Sequence, residues 1–206
     1  MPYTVSEIFC ALQGEGMRAG SRNVFIRFAG CNLKCVEKEH GFDCDTDFRS
    51  VYKRFETAEE LVAEVEEVWG APLEGKAVIL TGGEPTLQMD VDLVMRLSAA
   101  GFYVAIETNG INDLREEILG HIDWVSCSPK TAEHTLKMNR VDELRYVRST
   151  RQGIPKPKLR AMYRYLSPGA DTNGPRQDNL DWCMQLIDAN PQWRLSVQMH
   201  KLWSIR

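Results

Sequence analysis

Residues 77–110 read AVILTGGEPTLQMDVDLVMRLSAAGFYVAIETNG, and this stretch decides the fold. Residues 77–80 form an apolar run of strand length. Residues 91–100 place apolar side chains at helical spacing and stop at Gly101, and residues 103–106 are a second strand. A strand, a helix and a strand joined by short connections make a right-handed parallel βαβ unit. Downstream the alternation continues with a helix over 113–119, closed by Gly120, and a strand over 122–126. Upstream, Thr57 and Glu60 form a capping box, Leu61, Val62, Val65, Val68 and Trp69 share a helical face, and Gly70 ends the helix. Three polar clusters begin where strands end: Thr81-Gly82-Gly83-Glu84-Pro85, Glu107-Thr108-Asn109-Gly110 and Ser128-Pro129-Lys130. The carboxyl ends of parallel strands form one rim, and ligands bind there.

Two further strands are expected at 3–9 and 23–29. Between them, in Leu12-Gln13-Gly14-Glu15-Gly16, two glycines suit a tight turn that has no need of Gln13 or Glu15. Arg27 interrupts an otherwise apolar strand and, if buried, requires an anion. That strand runs into Cys31-Asn-Leu-Lys-Cys35, eight further residues and Cys44-Asp45-Thr46. Three thiols can converge on one soft metal centre, either zinc, copper(I) or the iron of an iron–sulfur cluster, leaving one position free. His40 is the nearby candidate for a fourth ligand. A closed zinc loop therefore competes with an open cluster on the residues alone.

At 206 residues and 43% hydrophobic, the chain can build one core, and a single domain over 1–206 is expected. Its net charge of −4 gives no general attraction to nucleic acid or membrane. There is no secretory signal and no 18-residue apolar run, so a cytoplasmic protein is expected, its six cysteines being ligands or buried thiols. Cys10, Cys127 and Cys183 read as core residues. In 137–164 basic residues outnumber the two acids, Asp142 and Glu143, and the run reads as a solvated face; 149–157 reads as a mobile loop. A helix over 180–189 and a strand over 194–199 would bring His200 to the rim. The count of about six parallel strands and three main helices gives an α/β fold, an incomplete (β/α) barrel.

These residues resemble the radical S-adenosylmethionine superfamily and, within it, the 7-carboxy-7-deazaguanine synthase family of queuosine and deazapurine biosynthesis. The matching pieces are residues 12–16, Phe25-Ile-Arg-Phe28 with Gly30-Cys31, Cys44-Asp-Thr46, residues 81–85, Ile106-Glu-Thr-Asn-Gly110, Ser128-Pro-Lys130 and Gln198-Met-His-Lys201. They span 12–201 in the family's order. The superfamily's Cys-x3-Cys-x2-Cys is altered here: the second gap has eight residues, giving a lengthened cluster-binding loop over 31–46.

The resemblance implies a [4Fe–4S] cluster on Cys31, Cys35 and Cys44, S-adenosylmethionine bound by Gly82, Gly83, Glu84, Ser128, Pro129 and Lys130, and Mg²⁺ on Thr46. It implies 6-carboxy-5,6,7,8-tetrahydropterin as substrate, held by Leu12, Gln13, Gly14, Glu15, Arg27, Thr81, Glu107 and His200. The reaction is ring contraction with loss of ammonia, its radical chemistry carried by the cofactor and not by a catalytic side chain. A homodimer and a flavodoxin-like electron donor, docking at Arg148 and Arg151, are further expectations. The alternatives are an activase of glycyl-radical enzymes and a zinc-dependent nucleic-acid module.

Overall fold

A computed structural model describes residues 2–36, 44, 46–171 and 174–203. His40, Asp45 and residues 37–43 of the lengthened loop lie outside these.

The chain forms β1 (Tyr3–Leu12), β2 (Arg22–Phe28), β3 (Lys53–Phe55), α1 (Ala58–Trp69), β4 (Ala77–Gly82), α2 (Val91–Ala99), β5 (Tyr103–Thr108), α3 (Glu116–Leu119), β6 (Trp124–Cys127), β7 (Arg140–Arg148), β8 (Arg160–Pro168), β9 (Ala170–Asp171), β10 (Gly174–Pro175), α4 (Gln177–Ala189), β11 (Arg194–Leu195) and α5 (Met199–Trp203). Nine strands join one sheet in the order β11-β8-β7-β6-β5-β4-β2-β1-β3. From β2 to β11 the pairings are parallel; β1 pairs antiparallel with β2 and β3. The expected incomplete (β/α) barrel is therefore present, with seven parallel strands among the described residues where about six were expected.

The expected strand at 3–9 is the antiparallel β1; the two strands not expected, β7 and β8, begin in the basic run read as a solvated face. Alternation explains the difference. Along β7, Leu144 and Tyr146 are buried in the helix-side core, and the intervening Glu143 and Arg145 are buried as well, 2% and 4% exposed. Two opposite charges on one face satisfy each other and hide the strand's apolar pattern. The loop read as mobile is tied to α4: Thr150 N–H donates to Asn179 Oδ1 at 2.8 Å, and Trp182 Nε1 donates to the Gln152 carbonyl at 2.8 Å. Arg148 stacks on Tyr146, its guanidinium carbon 5.0 Å from the ring centroid.

Helices α1 and α2 seal the outer face through Leu61, Val65, Leu93 and Leu97, each fully buried. Thr57 caps α1, its Oγ1 accepting from Glu60 N–H at 3.2 Å. Thr57→Ala is expected to cost about 1 kcal/mol and to lower the melting temperature by about 2–4 °C in a thermal melt. α3 is one turn, shorter than the expected 113–119, and the expected strand at 194–199 is two residues followed by α5.

Candidate functional site

Register places the site residues in a row across the sheet. Arg27 of β2 lies opposite Thr81 of β4, Glu107 of β5 opposite Ser126 of β6, and Ser126 opposite Glu143 of β7. Because side chains alternate between faces, this row projects to the side away from α1 and α2. A cleft of about 580 Å³ opens over it, lined by Cys31, Cys35, Cys44, Thr46, Thr81, Gly82, Gly83, Glu107, Ser128 and Lys130, with Glu15 and Arg145 at one end.

The glycine pair holds the cysteine segment to the sheet. Gly83 N–H donates to the Phe28 carbonyl and Glu84 N–H to the Gly30 carbonyl, both at 3.0 Å. Glu84 is fully buried. One of its oxygens accepts from Thr86 N–H, Thr86 Oγ1 and Thr108 Oγ1, and the other from Asn109 N–H. Its bonds thus tie the end of β4 to the end of β5 instead of facing the cleft. Asn109 Nδ2 donates to Asn32 Oδ1 at 2.8 Å, extending this network to the cysteine segment.

All three thiols of Cys31, Cys35 and Cys44 are free and border the cleft, Cys44 being exposed. Burial pushes the Cys31 and Cys35 thiols above their ordinary value. Metal binding must therefore displace protons. Among the described residues no three His, Cys, Asp or Glu side chains converge on a single-ion site. Three soft donors spaced around a shared wall suit an iron–sulfur cluster in their chemistry.

At the other end, Glu107 Oε1 accepts from Gln13 Nε2 at 2.6 Å and Oε2 from Arg145 Nη2 at 3.3 Å. The loop that carries Gln13 and Glu15 crosses to the far strands: Gly16 N–H donates to Ser196 Oγ at 2.9 Å and Met17 N–H to Glu143 Oε2 at 2.8 Å. Burial raises Glu143 above the usual carboxylate range, against the pull of Arg145. Arg145, opposed by its own burial, is nonetheless raised by Glu15, Glu107 and Glu143.

The remaining expected residues scatter more. Arg27 pairs with Glu7 at 3.4 Å and its Nη1 lies 3.5 Å from Thr46 Oγ1. His200 stands behind Gly14, where a Cβ would meet its Nδ1 at 2.1 Å. Lys130 Nζ donates to Ser128 Oγ at 2.6 Å, beside a buried Pro129. Leu12 ends β1 opposite Arg22 and is 43% exposed. Arg145 and Glu143 were missed. Their signal was an opposite-charge pair at i, i+2 between the apolar Val141, Leu144 and Tyr146.

The parallel sheet, the strand-end rim and the three-cysteine segment define a radical S-adenosylmethionine domain, and the Radical SAM superfamily matches residues 25–161. Relatives named 7-carboxy-7-deazaguanine synthase match along the whole chain: one from Burkholderia multivorans is 40% identical over 100% of both chains, and one from Bacteroides thetaiotaomicron 42% over 98% of both. The solved structure titled "Crystal structure of QueE from Escherichia coli" shares the fold with a TM-score of 0.67 at 24% identity, covering 97% of this chain and 95% of that one. The chain belongs to the 7-carboxy-7-deazaguanine synthase family.

Proposed function

We propose that the cleft takes 6-carboxy-5,6,7,8-tetrahydropterin and contracts it to 7-carboxy-7-deazaguanine with loss of ammonia. One observation carries this reading: three thiols, a glycine-lined strand end and a carboxylate braced by an amide and an arginine share a single cleft of about 580 Å³. Cys31, Cys35 and Cys44 would hold a [4Fe–4S] cluster, with S-adenosylmethionine against Gly82, Gly83, Ser128 and Lys130. Together these groups supply the hydrogen-abstracting radical when bound and reduced.

The protein's own residues bind and orient. Glu107 faces the guanidine-like edge of the pterin, whose adjacent N–H groups a carboxylate accepts in pairs. Gln13 and Arg145 fix that carboxylate from behind. Arg27 and Thr46, 3.5 Å apart, suit a substrate carboxylate that meets a guanidinium and a hard cation together. Gly14 gives His200 the room to stand against the substrate loop. Reaction in the cytoplasm agrees with six free thiols among the described residues. No helix among the described residues is long and apolar enough to cross a membrane. A flavodoxin-like donor would dock by the cysteine segment, where Lys34 and Arg49 are exposed; of the expected pair, Arg151 is exposed and Arg148 half-buried on Tyr146, and the homodimer rests on the family likeness alone.

The test is an anaerobic assay of the iron-reconstituted protein with the carboxytetrahydropterin, S-adenosylmethionine and dithionite. The deazaguanine acid and ammonia are the expected products, and their absence rejects the reading. In the same assay Glu107→Gln is expected to raise KM for the pterin about 10–100-fold, because one acceptor oxygen and its charge are lost, worth about 1.5–3 kcal/mol. Cofactor cleavage without pterin should be unaffected; an unchanged KM would remove Glu107 from the substrate.

A further inference from the structure

We infer that Arg145 is a positioning residue that sets specificity: it fixes Glu15 and Glu107 as a joint acceptor for the amino-pyrimidinone edge of the pterin. The inference rests on the function proposed above. Arg145 lines the cleft with its side chain 5% exposed, and it is shared by three elements. Its Nη1 lies 3.0 Å from Glu143 Oε1; its Nη2 lies 3.0 Å from Glu15 Oε2 and 3.3 Å from Glu107 Oε2.

The three carboxylates differ in what else they do. Glu143 is 3% exposed; its Oε1 accepts from Ser126 Oγ as well as Arg145, and its Oε2 from Met17 N–H, so it anchors Arg145 to the sheet. Glu15 and Glu107, at 15% and 24% exposed, border the cleft. One guanidinium nitrogen thus spaces two carboxylates that come from a loop and from a strand end far apart in sequence. With its second nitrogen the same fork holds Glu143 at 3.0 Å; a lysine ammonium, a single point charge on a flexible stem, lacks this two-nitrogen geometry.

Charge then sets direction. Three carboxylates, Glu15, Glu107 and Glu143, here meet two guanidiniums, Arg145 and Arg18, which leaves one negative charge in excess. A surplus of acceptors at this end favours a donor-rich edge and disfavours a carboxylate. The substrate's carboxylate is thereby sent to Thr46 and Arg27, which fixes one of two ways a flat bicyclic molecule could lie.

The test uses reconstituted holoenzyme carrying Arg145→Lys or Arg145→Met. KM and kcat for the carboxypterin, its Kd by equilibrium dialysis, pterin-free cofactor cleavage and the melting temperature are all measured. Arg145→Lys is expected to raise KM and Kd about tenfold, the equivalent of ~1.4 kcal/mol, with kcat and pterin-free cleavage within about twofold. Arg145→Met is expected to raise KM further; should it fail to fold, the lysine variant decides. Unchanged KM and Kd overturn the inference. So does a fall in melting temperature, iron content and cofactor cleavage with KM intact, which marks Arg145 as structural only. Wild-type enzyme that does not turn over the carboxypterin rejects the reading of the cleft, and this inference with it. Wild-type turnover with unchanged variants rejects the assignment of Arg145 alone.

Discussion

Gly83→Ala is expected to give a protein that cannot close its cysteine segment onto the sheet. A Cβ at this position would lie 1.9 Å from the Gly30 carbonyl oxygen, 2.5 Å from its carbon and 3.0 Å from Cys31 Cβ. The nearest atoms are backbone, so no rotamer change relieves the overlap; the end of β4 must move away from the chain that leads into Cys31. That movement breaks the bonds from Gly83 and Glu84 to Phe28 and Gly30. Overpacking and two lost hydrogen bonds together cost at least about 3 kcal/mol, against a total stability of about 5–15 kcal/mol. A thermal melt of the anaerobic apoprotein and the iron bound after reconstitution should both fall sharply. Gly153, with nothing within 4 Å of a Cβ and no positive φ, is the control, and its alanine variant should behave as wild type. Wild-type iron content in Gly83→Ala would show that the strand end yields without cost.

The glycines of the Gly-Gly-Glu-Pro stretch thus act first on architecture. A resemblance gives them to the cofactor. The structure shows that they are required earlier, because the Cys31 chain passes so close over β4 that a methyl group has no room. Glu84 belongs to the same device. Two of its four hydrogen bonds, from Thr108 Oγ1 and Asn109 N–H, draw the ends of β4 and β5 together, and that junction sets where Glu107, one residue before Thr108, enters the cleft.

What could be read in advance follows from how each residue is satisfied. The βαβ units over 77–127 were legible because their strands are apolar throughout and their helices carry one apolar face, a pattern that needs no partner to be recognised. The rim was legible because strand ends in a parallel sheet must share an edge. Arg145 was not, since a buried arginine in a basic run looks like its exposed neighbours until Glu15 and Glu107, from distant parts of the chain, are seen to surround it. Arg27 was partly legible. An anion was expected, and Glu7 on the neighbouring strand supplies one, which no pattern within 22–28 reveals. The strand expected at 194–199 stops short: Ser196 N–H still donates to the Leu166 carbonyl of β8 at 2.9 Å, but Met199 N–H turns to the Gly14 carbonyl of the β1–β2 loop at 3.0 Å.

Replacing any one of Cys31, Cys35 or Cys44 by alanine is expected to abolish S-adenosylmethionine cleavage while leaving the fold in place. The two halves of this expectation come from different observations. None of the three belongs to the buried core: Cys31 and Cys35 are half-buried, Cys44 is exposed, and all three border the cleft. Truncating such side chains costs the apoprotein no more than about 0.5 kcal/mol. A cluster with three thiolate ligands has no spare donor, however, and among the described residues no other Cys, His, Asp or Glu completes a metal site. The loss therefore falls on iron content and cofactor cleavage together, by far more than the tenfold expected of Arg145→Lys, with the melting temperature of the apoprotein unmoved. Iron and sulfide analysis beside the melt reads both. A variant that keeps about four irons per chain and cleaves the cofactor would exclude its thiol from the cluster. A variant that loses its melt along with its iron would make the segment a structural metal loop, the outcome a closed zinc site requires.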